Sequence, residues 1–223
     1  MRTADQIASE TSEVRARIGR DVEAHLTRGS AQAAPGHGLT LWFVEDFLAA
    51  NDRAYLIDLI DAARRPSALM SDDAHQQFRT SESGNLDRWD ERVRTIDRRI
   101  CALLGIDESQ GETLQGQRYG PGQYFRAHHD WFHTDQSYWS AQAATGGQRT
   151  WTAMIYLNKP DAGGETYFEL AGLLVAPKAG LLIAWNNMDP NGAPNVQSSH
   201  EGRDVGAGSK YVVTKWFRER NWI

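Results

Sequence analysis

The stretch QRYGPGQYFRAHHDWFH, from Gln117 to His133, decides how the chain is organised. Its composition predicts a strand that is interrupted by a Gly-Pro-Gly turn. His128 and Asp130 stand two positions apart at the end of this strand, and side chains two apart on a strand point to the same face. The imidazole and the carboxylate should therefore converge on one point, which favours a bound metal ion.

His200 is the third ligand that we expect for this metal. Two histidines and one carboxylate on neighbouring strands form the facial arrangement that holds non-haem Fe(II) and leaves coordination positions open. His129 is an alternative ligand, one position away from His128. It would point to the opposite face of the strand from Asp130, so the parity of the strand favours His128.

Length and composition limit the number of domains that can surround this site. A chain of 223 residues with 40% hydrophobic residues can bury one substantial core but is short for two domains, so we expect residues 1–223 to form a single domain. Residues 1–38 should be an accessory helix and a linker, and residues 112–220 the β-rich core. Cys101, the single cysteine, lies on the apolar face of a predicted helix and is expected to be a small core residue.

Charge and hydropathy point away from two classes of partner. The net charge of −5 does not favour binding to the negatively charged phosphate backbone of nucleic acid, so we expect no nucleic-acid partner. No apolar run has the length of a signal peptide or a membrane span, so we expect no membrane association and a cytoplasmic location. The sequence does not indicate the oligomeric state.

Helical spacing of apolar residues is confined to the first half of the chain. It predicts helices over Ala4 to Arg28, from a cap at Asn51 or Asp52 to Arg65, and over Trp89 to Leu104. From Glu112 to Trp222 the sequence predicts short strands separated by glycine-rich turns, with no helix. This order predicts a mainly β protein, an antiparallel sandwich or jelly roll with the N-terminal helices packed against one sheet.

The final strand, SKYVVTKWFRER from Ser209 to Arg220, carries a lysine among the residues of one face. Strand alternation places Lys210, Thr214 and Trp216 on one face together with Val212 and Arg218. An ammonium buried without a partner costs several kcal/mol, so an inward Lys210 requires an internal carboxylate or an acidic ligand.

Taken together, these motifs resemble the Fe(II)/2-oxoglutarate dioxygenases of the prolyl 4-hydroxylase family. The resemblance covers roughly Leu41 to Arg220 and rests on the following elements: Tyr119-Gly-Pro-Gly-Gln-Tyr124, His128-x-Asp130, RTWTAMIYLN at 149–158, Gly163-Gly-Glu-Thr166, His200, and Lys210 ten residues beyond it. The family fold is a double-stranded β-helix, or jelly roll, here with flanking helices.

The resemblance implies roles for nine residues. The implied iron ligands are His128, Asp130 and His200. Lys210 would pair with the distal carboxylate of 2-oxoglutarate, helped by Tyr119 and Thr166. The positions that face the substrate or cosubstrate would be Arg149, Trp216 and Arg218. The implied cofactors are Fe(II), 2-oxoglutarate as cosubstrate, and O2, with ascorbate (vitamin C) as an optional addition.

Three functions remain open at this stage. The first is an oxidoreductase that hydroxylates an unactivated C–H bond of a prolyl residue in a peptide or protein, with release of succinate and CO2. The second keeps this chemistry but acts on a free amino acid or small metabolite. The third is a noncatalytic, metal-binding jelly-roll module. The polar segment 136–147 is of the kind that closes over a site, and its contacts would decide specificity.

Overall fold

The computed structural model describes residues 10–67 and 78–222 of the chain. It contains four α-helices: α1 (Glu13–Arg28), α2 (Ala50–Ala63), α3 (Glu91–Leu104) and α4 (Trp139–Ala144). None of the helices in these two ranges combines the length and the apolar character needed to cross a bilayer.

An eight-stranded antiparallel sheet is the largest element of the fold. Its strands, in spatial order, are β1 (Gln32–Pro35), β2 (Thr40–Val44), β11 (Leu182–Asn186), β7 (Arg149–Tyr156), β14 (Lys210–Arg218), β5 (Gln115–Tyr119), β4 (Glu82–Asn85) and β3 (Arg65–Pro66). A four-stranded sheet has the order β10 (Leu173–Val175), β9 (Thr166–Phe168), β12 (His200–Gly202) and β6 (Phe125–His128). A short ribbon pairs β8 (Ala162–Gly163) with β13 (Val205–Ala207).

Two hydrophobic layers show how these parts pack. One layer joins the helices to the outer face of the large sheet and includes Val213 and Phe217 of β14. The second layer lies between the two sheets and includes Val212 of β14 and Phe168 of β9. The predicted alternation of β14 is therefore correct, because its odd-numbered residues face the helices and its even-numbered ones face the interior between the sheets. The mainly β jelly roll with flanking helices is confirmed.

Helix α3 follows the sequence prediction most closely. Asp90 caps its first turn by accepting hydrogen bonds from the backbone N–H groups of Arg92 and Val93, both at 2.9 Å. Gly105 ends it in the left-handed conformation (φ 68°), as the sequence predicts. Cys101 is buried on its inner face, which agrees with a core role.

Helix α2 differs from the prediction at both ends. It begins after Ala49, which offers no side-chain cap, and it ends at Ala63 rather than Arg65. Asp52, one of the two predicted caps, instead pairs with Arg92 of α3 at 2.8 Å. The Asp52 carboxylate therefore forms an ion pair with a neighbouring helix and does not provide the N-terminal cap of α2 that the local sequence predicted.

Three further elements differ from the sequence predictions. Helix α1 begins after its cap Ser12, so the predicted helix is wrong for residues 10–12. The first six residues of the predicted helix, 4–9, lie outside the described ranges. The predicted linker at 29–38 contains β1, which pairs with β2 at the edge of the large sheet. Helix α4 lies in a region where we predicted no helix.

Candidate metal centre

His128, Asp130 and His200 meet at the open end of the four-stranded sheet. His128 ends β6 and His200 begins β12, and the two residues are direct partners in the antiparallel pairing of these strands. Asp130 follows β6 by two positions. One ligand atom from each residue lies within 4.8 Å of the others, with each imidazole Nε2 3.9 Å from an oxygen of Asp130. The structure thus brings together the three residues that the sequence nominated.

Backbone carbonyl groups orient both imidazoles of this cluster. His128 Nδ1 lies 2.8 Å from the carbonyl oxygen of Arg126, and His200 Nδ1 lies 3.0 Å from that of Ser198. A carbonyl oxygen can only accept, so each Nδ1 carries the proton and each Nε2 presents its lone pair to the shared point. This is the arrangement by which proteins usually orient metal-binding histidines.

His129 lies outside the cluster, as strand parity predicts. Its Nε2 is 3.2 Å from the carbonyl oxygen of Val196, and its ring packs against Trp131 with 4.5 Å between centroids. Burial lowers the pKa of His129 to about 4, so the ring is neutral at ordinary pH. The alternative register with His129 as a ligand is not the one the structure adopts.

Burial and local charge keep His128 and Asp130 in metal-binding protonation states. Burial lowers the pKa of His128 well below its ordinary value, with a further contribution from His200, so the ring is neutral. Burial alone would raise the pKa of Asp130. The neighbouring imidazoles, Arg149 and a hydrogen bond from Thr152 outweigh that effect and keep the pKa of Asp130 below its usual range.

Aromatic rings shield the cluster from water. Phe125 stacks on His128 with 3.6 Å between centroids, and Phe168 and Trp185 pack on His200 at 5.1 and 4.9 Å. The cluster forms part of a pocket lined also by the following residues: Gln117, Tyr119, Met154, Thr166, Gly202, Thr214 and Trp216. The site is therefore a largely apolar hollow with polar groups at a few points.

Lys210 is buried, on the face of β14 that it shares with Val212, Thr214 and Trp216. Only 2% of its surface is exposed, and none of the ion pairs found within residues 10–67 and 78–222 involves it. Its Nζ lies 5.2 Å from the ring centroid of Tyr119, and a methyl group added at Gly202 in the pocket wall would be 3.9 Å from it. Burial lowers the pKa of Lys210 to about 7, and Glu165 opposes this effect.

Tyr119 and Thr166 line the same pocket, and each hydroxyl has a protein partner. Tyr119 donates its hydroxyl hydrogen to Gln117 Oε1 at 2.9 Å, and Tyr156 donates to Thr166 Oγ1 at 2.6 Å. In the β5–β14 pairing Tyr119 is also the direct partner of Lys210. The structure therefore places Tyr119 beside Lys210 and Thr166 in the same pocket as Tyr119, and their predicted role stays a prediction.

Arg149, Arg218 and Trp216 form a buried group around Glu112. Arg149 donates two hydrogen bonds to the Glu112 carboxylate, at 2.6 and 2.7 Å, and Arg218 Nε lies 2.6 Å from the same carboxylate. The guanidinium group of Arg149 also lies over the Trp216 ring, 4.1 Å from its centroid. Both arginines thus have a carboxylate partner within the protein, while Trp216 lines the pocket.

Four residues near the site were not nominated from the sequence: Glu112, Arg79, Thr152 and Asn187. A buried arginine requires a carboxylate partner, but this requirement does not indicate that Glu112 supplies it. Arg79 lies over the Phe125 ring at 4.6 Å and donates to Ser81 at 2.8 Å. No local pattern indicates Thr152 or Asn187, since their significance depends on how β7 and β11 lie beside Asp130.

The segment 136–147 lies next to the Arg218 end of this group. It contains α4, and Arg218 donates hydrogen bonds to the carbonyl oxygen of Gly147 and to the Gln142 side chain. Arg220 donates to the carbonyl oxygen of Ala143 at 2.6 Å. The segment is therefore held by several polar contacts, and its predicted closing motion stays a prediction.

The sequence of residues 114–218 matches the 2OG-Fe(II) oxygenase superfamily. All nine residues that the sequence nominated for the site fall within this range, whereas Glu112 and Arg79 lie before it. The chain belongs to this superfamily. Within it, the predicted resemblance to the prolyl 4-hydroxylases is confirmed.

Three similar proteins illustrate the relationship. Prolyl 4-hydroxylase 1 of Arabidopsis thaliana is 32% identical over 141 residues, which are 57% of this chain and 48% of the relative. Prolyl 4-hydroxylase subunit alpha-1 of Gallus gallus is 34% identical over 145 residues, 64% of this chain and 28% of the relative. The chain therefore spans less than half the length of these two relatives. The viral collagen prolyl hydroxylase of Paramecium Bursaria Chlorella virus-1, solved as a 2OG complex, superposes with a TM-score of 0.62 at 25% identity, covering 80% of this chain and 95% of the viral one.

Proposed function

We propose that the chain is an Fe(II)- and 2-oxoglutarate-dependent dioxygenase that hydroxylates a prolyl residue in a peptide or protein. The observation that carries this proposal is the combination, around one pocket, of the His128, Asp130 and His200 cluster with a buried lysine that lacks a carboxylate partner among the described residues. An iron site alone would not require Lys210. An iron site that also binds a dicarboxylate requires a cation such as Lys210, because the carboxylate that does not bind iron needs a positively charged partner.

The donor set of the cluster fits Fe(II). Two neutral imidazoles and one carboxylate would hold the ion at a residual charge of +1 and occupy three coordination positions. The remaining positions suit a 2-oxo acid and O2, which together supply an oxidant able to attack an unactivated C–H bond while 2-oxoglutarate is converted to succinate and CO2. The shielding rings of Phe125 and Phe168 exclude water from this point.

Lys210 would bind the distal carboxylate of 2-oxoglutarate. Its ammonium group stands beside Tyr119 and Gly202 in the pocket wall, and a charge-assisted hydrogen bond in so dry a place is strong. Tyr119 and Thr166 would complete the polar end of the pocket.

The Glu112 group favours a peptidyl substrate over a free amino acid. A free amino acid has a carboxylate that needs a cation in the site, and the sequence offered Arg149 and Arg218 for this purpose. Both are paired with Glu112 in the structure, so neither guanidinium is free for such a ligand. The names of the relatives, prolyl 4-hydroxylases from plant and animal, support the same substrate class.

Two measurements test this proposal. Anaerobic addition of Fe(II) and then 2-oxoglutarate should produce a metal-to-ligand charge-transfer band in the visible, and its absence would overturn the cofactor assignment. Succinate release should be stimulated by a short proline-containing peptide blocked at both ends and not by free proline. Stimulation by free amino acids alone would overturn the peptidyl substrate. The cytoplasmic location and the use of ascorbate stay predictions.

A further inference from the structure

A chain of three buried side chains ends on the carboxylate of Asp130. Thr152 Oγ1 lies 2.8 Å from Asp130 Oδ2, and Asn187 Nδ2 lies 2.9 Å from Thr152 Oγ1. Thr152 and Asn187 have no exposed surface, and Asp130 is 6% exposed. These contacts lie behind the metal cluster, on the side of the large sheet.

The direction of both hydrogen bonds is fixed by the groups involved. Asn187 Nδ2 carries hydrogens and no lone pair to accept with, so it donates to Thr152 Oγ1, and the neighbour on the other side of that oxygen is Asp130 Oδ2. Thr152 has one hydroxyl hydrogen and must donate it to Asp130. Its oxygen can then only accept from Asn187, whose amide group donates. The hydrogen bonds therefore run in one direction, from Asn187 through Thr152 to Asp130.

The backbone holds both donors firmly in place. Thr152 lies in the middle of β7, where it is the direct partner of Trp185 on β11. Asn187 follows β11 directly, donates its backbone N–H to the carbonyl oxygen of Thr150 at 2.7 Å, and accepts from the backbone N–H of Asn195 at 2.9 Å. Rigid strands on the large sheet thus aim two side chains at a carboxylate on the loop after β6.

We propose that Thr152 and Asn187 are positioning residues that hold Asp130 as a one-oxygen metal ligand. This inference rests on the proposed function, since it takes Asp130 as an iron ligand. Thr152 occupies Oδ2 with a hydrogen bond and fixes the rotation of the carboxylate. Oδ1 accepts no hydrogen bond from the described residues and is left for the metal. A carboxylate free to rotate could bind through both oxygens and take a coordination position that 2-oxoglutarate or O2 requires.

The first test measures metal affinity without turnover. Fe(II), or Co(II) as its redox-stable substitute, is titrated anaerobically into the full chain and into Thr152→Val, which keeps the shape of the side chain and removes the hydroxyl. We expect Thr152→Val to bind metal about 10- to 100-fold more weakly, the usual effect of losing a partner that orients a ligand. Thr152→Ser keeps the hydroxyl and should restore most of the affinity.

Thr150→Val is the matched control. Thr150 is also buried, lies on the same face of β7, and directs its hydroxyl to the backbone carbonyl of Phe217 at 3.3 Å rather than to the cluster. It should leave metal affinity unchanged. An equal loss in Thr150→Val and Thr152→Val would mean that any buried hydroxyl on this strand matters, and it would overturn the positioning role.

The second test asks whether Asn187 acts through Thr152. Asn187→Ala should weaken metal binding in the wild-type background and have little further effect in Thr152→Val, because the link to Asp130 is already broken there. Additive losses would show that Asn187 acts independently, which overturns the proposed chain. The visible spectrum of the Co(II) complex gives a second readout, because a change from one to two carboxylate oxygens alters its intensity and band positions.

The outcomes separate this inference from the proposed function. If the wild-type chain binds neither Fe(II) nor Co(II), or if Asp130→Ala binds as well as wild type, the proposed function fails and the positioning role fails with it. If wild type binds metal through Asp130 but Thr152→Val binds equally well with an unchanged Co(II) spectrum, only the positioning role fails. Near-ultraviolet circular dichroism of each variant checks that its fold is intact.

Discussion

Replacing Lys210 by methionine should make the protein more stable in the absence of 2-oxoglutarate and much weaker in binding it. Burial lowers the pKa of Lys210 from 10.5 to about 7 in the folded protein. Between pH 7 and pH 10.5 the unfolded chain therefore binds more protons than the folded one, so the free energy of unfolding of the wild type rises with pH across this range. Methionine has a similar shape and carries no charge.

The expected gain follows from the two pKa values. Each pKa unit corresponds to about 1.4 kcal/mol, so burying the amine costs roughly 4 kcal/mol of unfolding free energy at pH 7 and roughly 2 kcal/mol at pH 9. Lys210→Met should remove this cost and gain stability that is larger at pH 7 than at pH 9. In the same variant the affinity for 2-oxoglutarate should fall by roughly 2 to 5 kcal/mol, the usual effect of truncating one partner of a buried charged pair.

The assay is urea unfolding of the metal-free protein at both pH values, in a buffer without carboxylates or phosphate. Lys159→Met is the control for an exposed lysine and should change stability little. Lys215→Met is the control for a buried lysine that has a partner, since Lys215 Nζ lies 2.6 Å from Asp97. That variant should lose roughly 3 kcal/mol, because it leaves the carboxylate without its cation.

Two results would refute this reasoning. A Lys210→Met protein that is no more stable than wild type at pH 7 would mean that the ammonium group has an internal partner or access to water. A gain that grows from pH 7 to pH 9 would have the wrong sign for a lysine with a lowered pKa. In either case the unpaired cation would not be the feature that selects a dicarboxylate.

Three further predictions concern the same pocket. Asp130→Ala and His200→Ala should abolish metal binding and turnover while circular dichroism shows an intact fold, and unfolding of either variant would show that the cluster is structural. His128→Ala should lose metal and His129→Ala should keep it in anaerobic titrations, whereas the reverse would move the ligand by one residue. The affinity for 2-oxoglutarate, measured calorimetrically with a redox-inert metal, should fall about tenfold per pH unit above pH 7, because binding then requires protonation of Lys210. An affinity that stays constant from pH 7 to 9 would contradict the lowered pKa of Lys210.

Strand alternation predicted the parts of the site that depend on one strand at a time. It placed His128 rather than His129 with Asp130, and it grouped Lys210 on one face with Val212, Thr214 and Trp216, which the structure shows to be buried. The rule is reliable here because one face of each strand is buried, and a shift by one residue would reverse every side chain. His200 was nominated because the facial arrangement requires a second imidazole, and the resemblance to a known family supported the same residue, across a gap that no local pattern spans.

The sequence did not predict features that depend on contacts between distant segments. Glu112 stands before β5, and its backbone N–H bonds to the carbonyl oxygen of Trp216, which sets its carboxylate beside Arg218. Nothing in the local sequence shows that this glutamate would occupy both arginines. Val14 is a similar case, because helical spacing assigned it to the buried stripe of α1, yet it is 46% exposed. Val22 and Leu26, which the same spacing assigned to the stripe, are buried as predicted, together with Ala16.

The pairing of His128 with His200 also has a consequence for folding. The two histidines are far apart along the chain and become neighbours only when β6 and β12 pair. Contacts of such long sequence separation form slowly, since a long loop must close first. The unfolded chain offers a metal only a weak two-residue site, so the ion binds the native state selectively and stabilises it in proportion to the logarithm of its concentration. Iron supply would thereby determine how long newly made chains persist in the folded state.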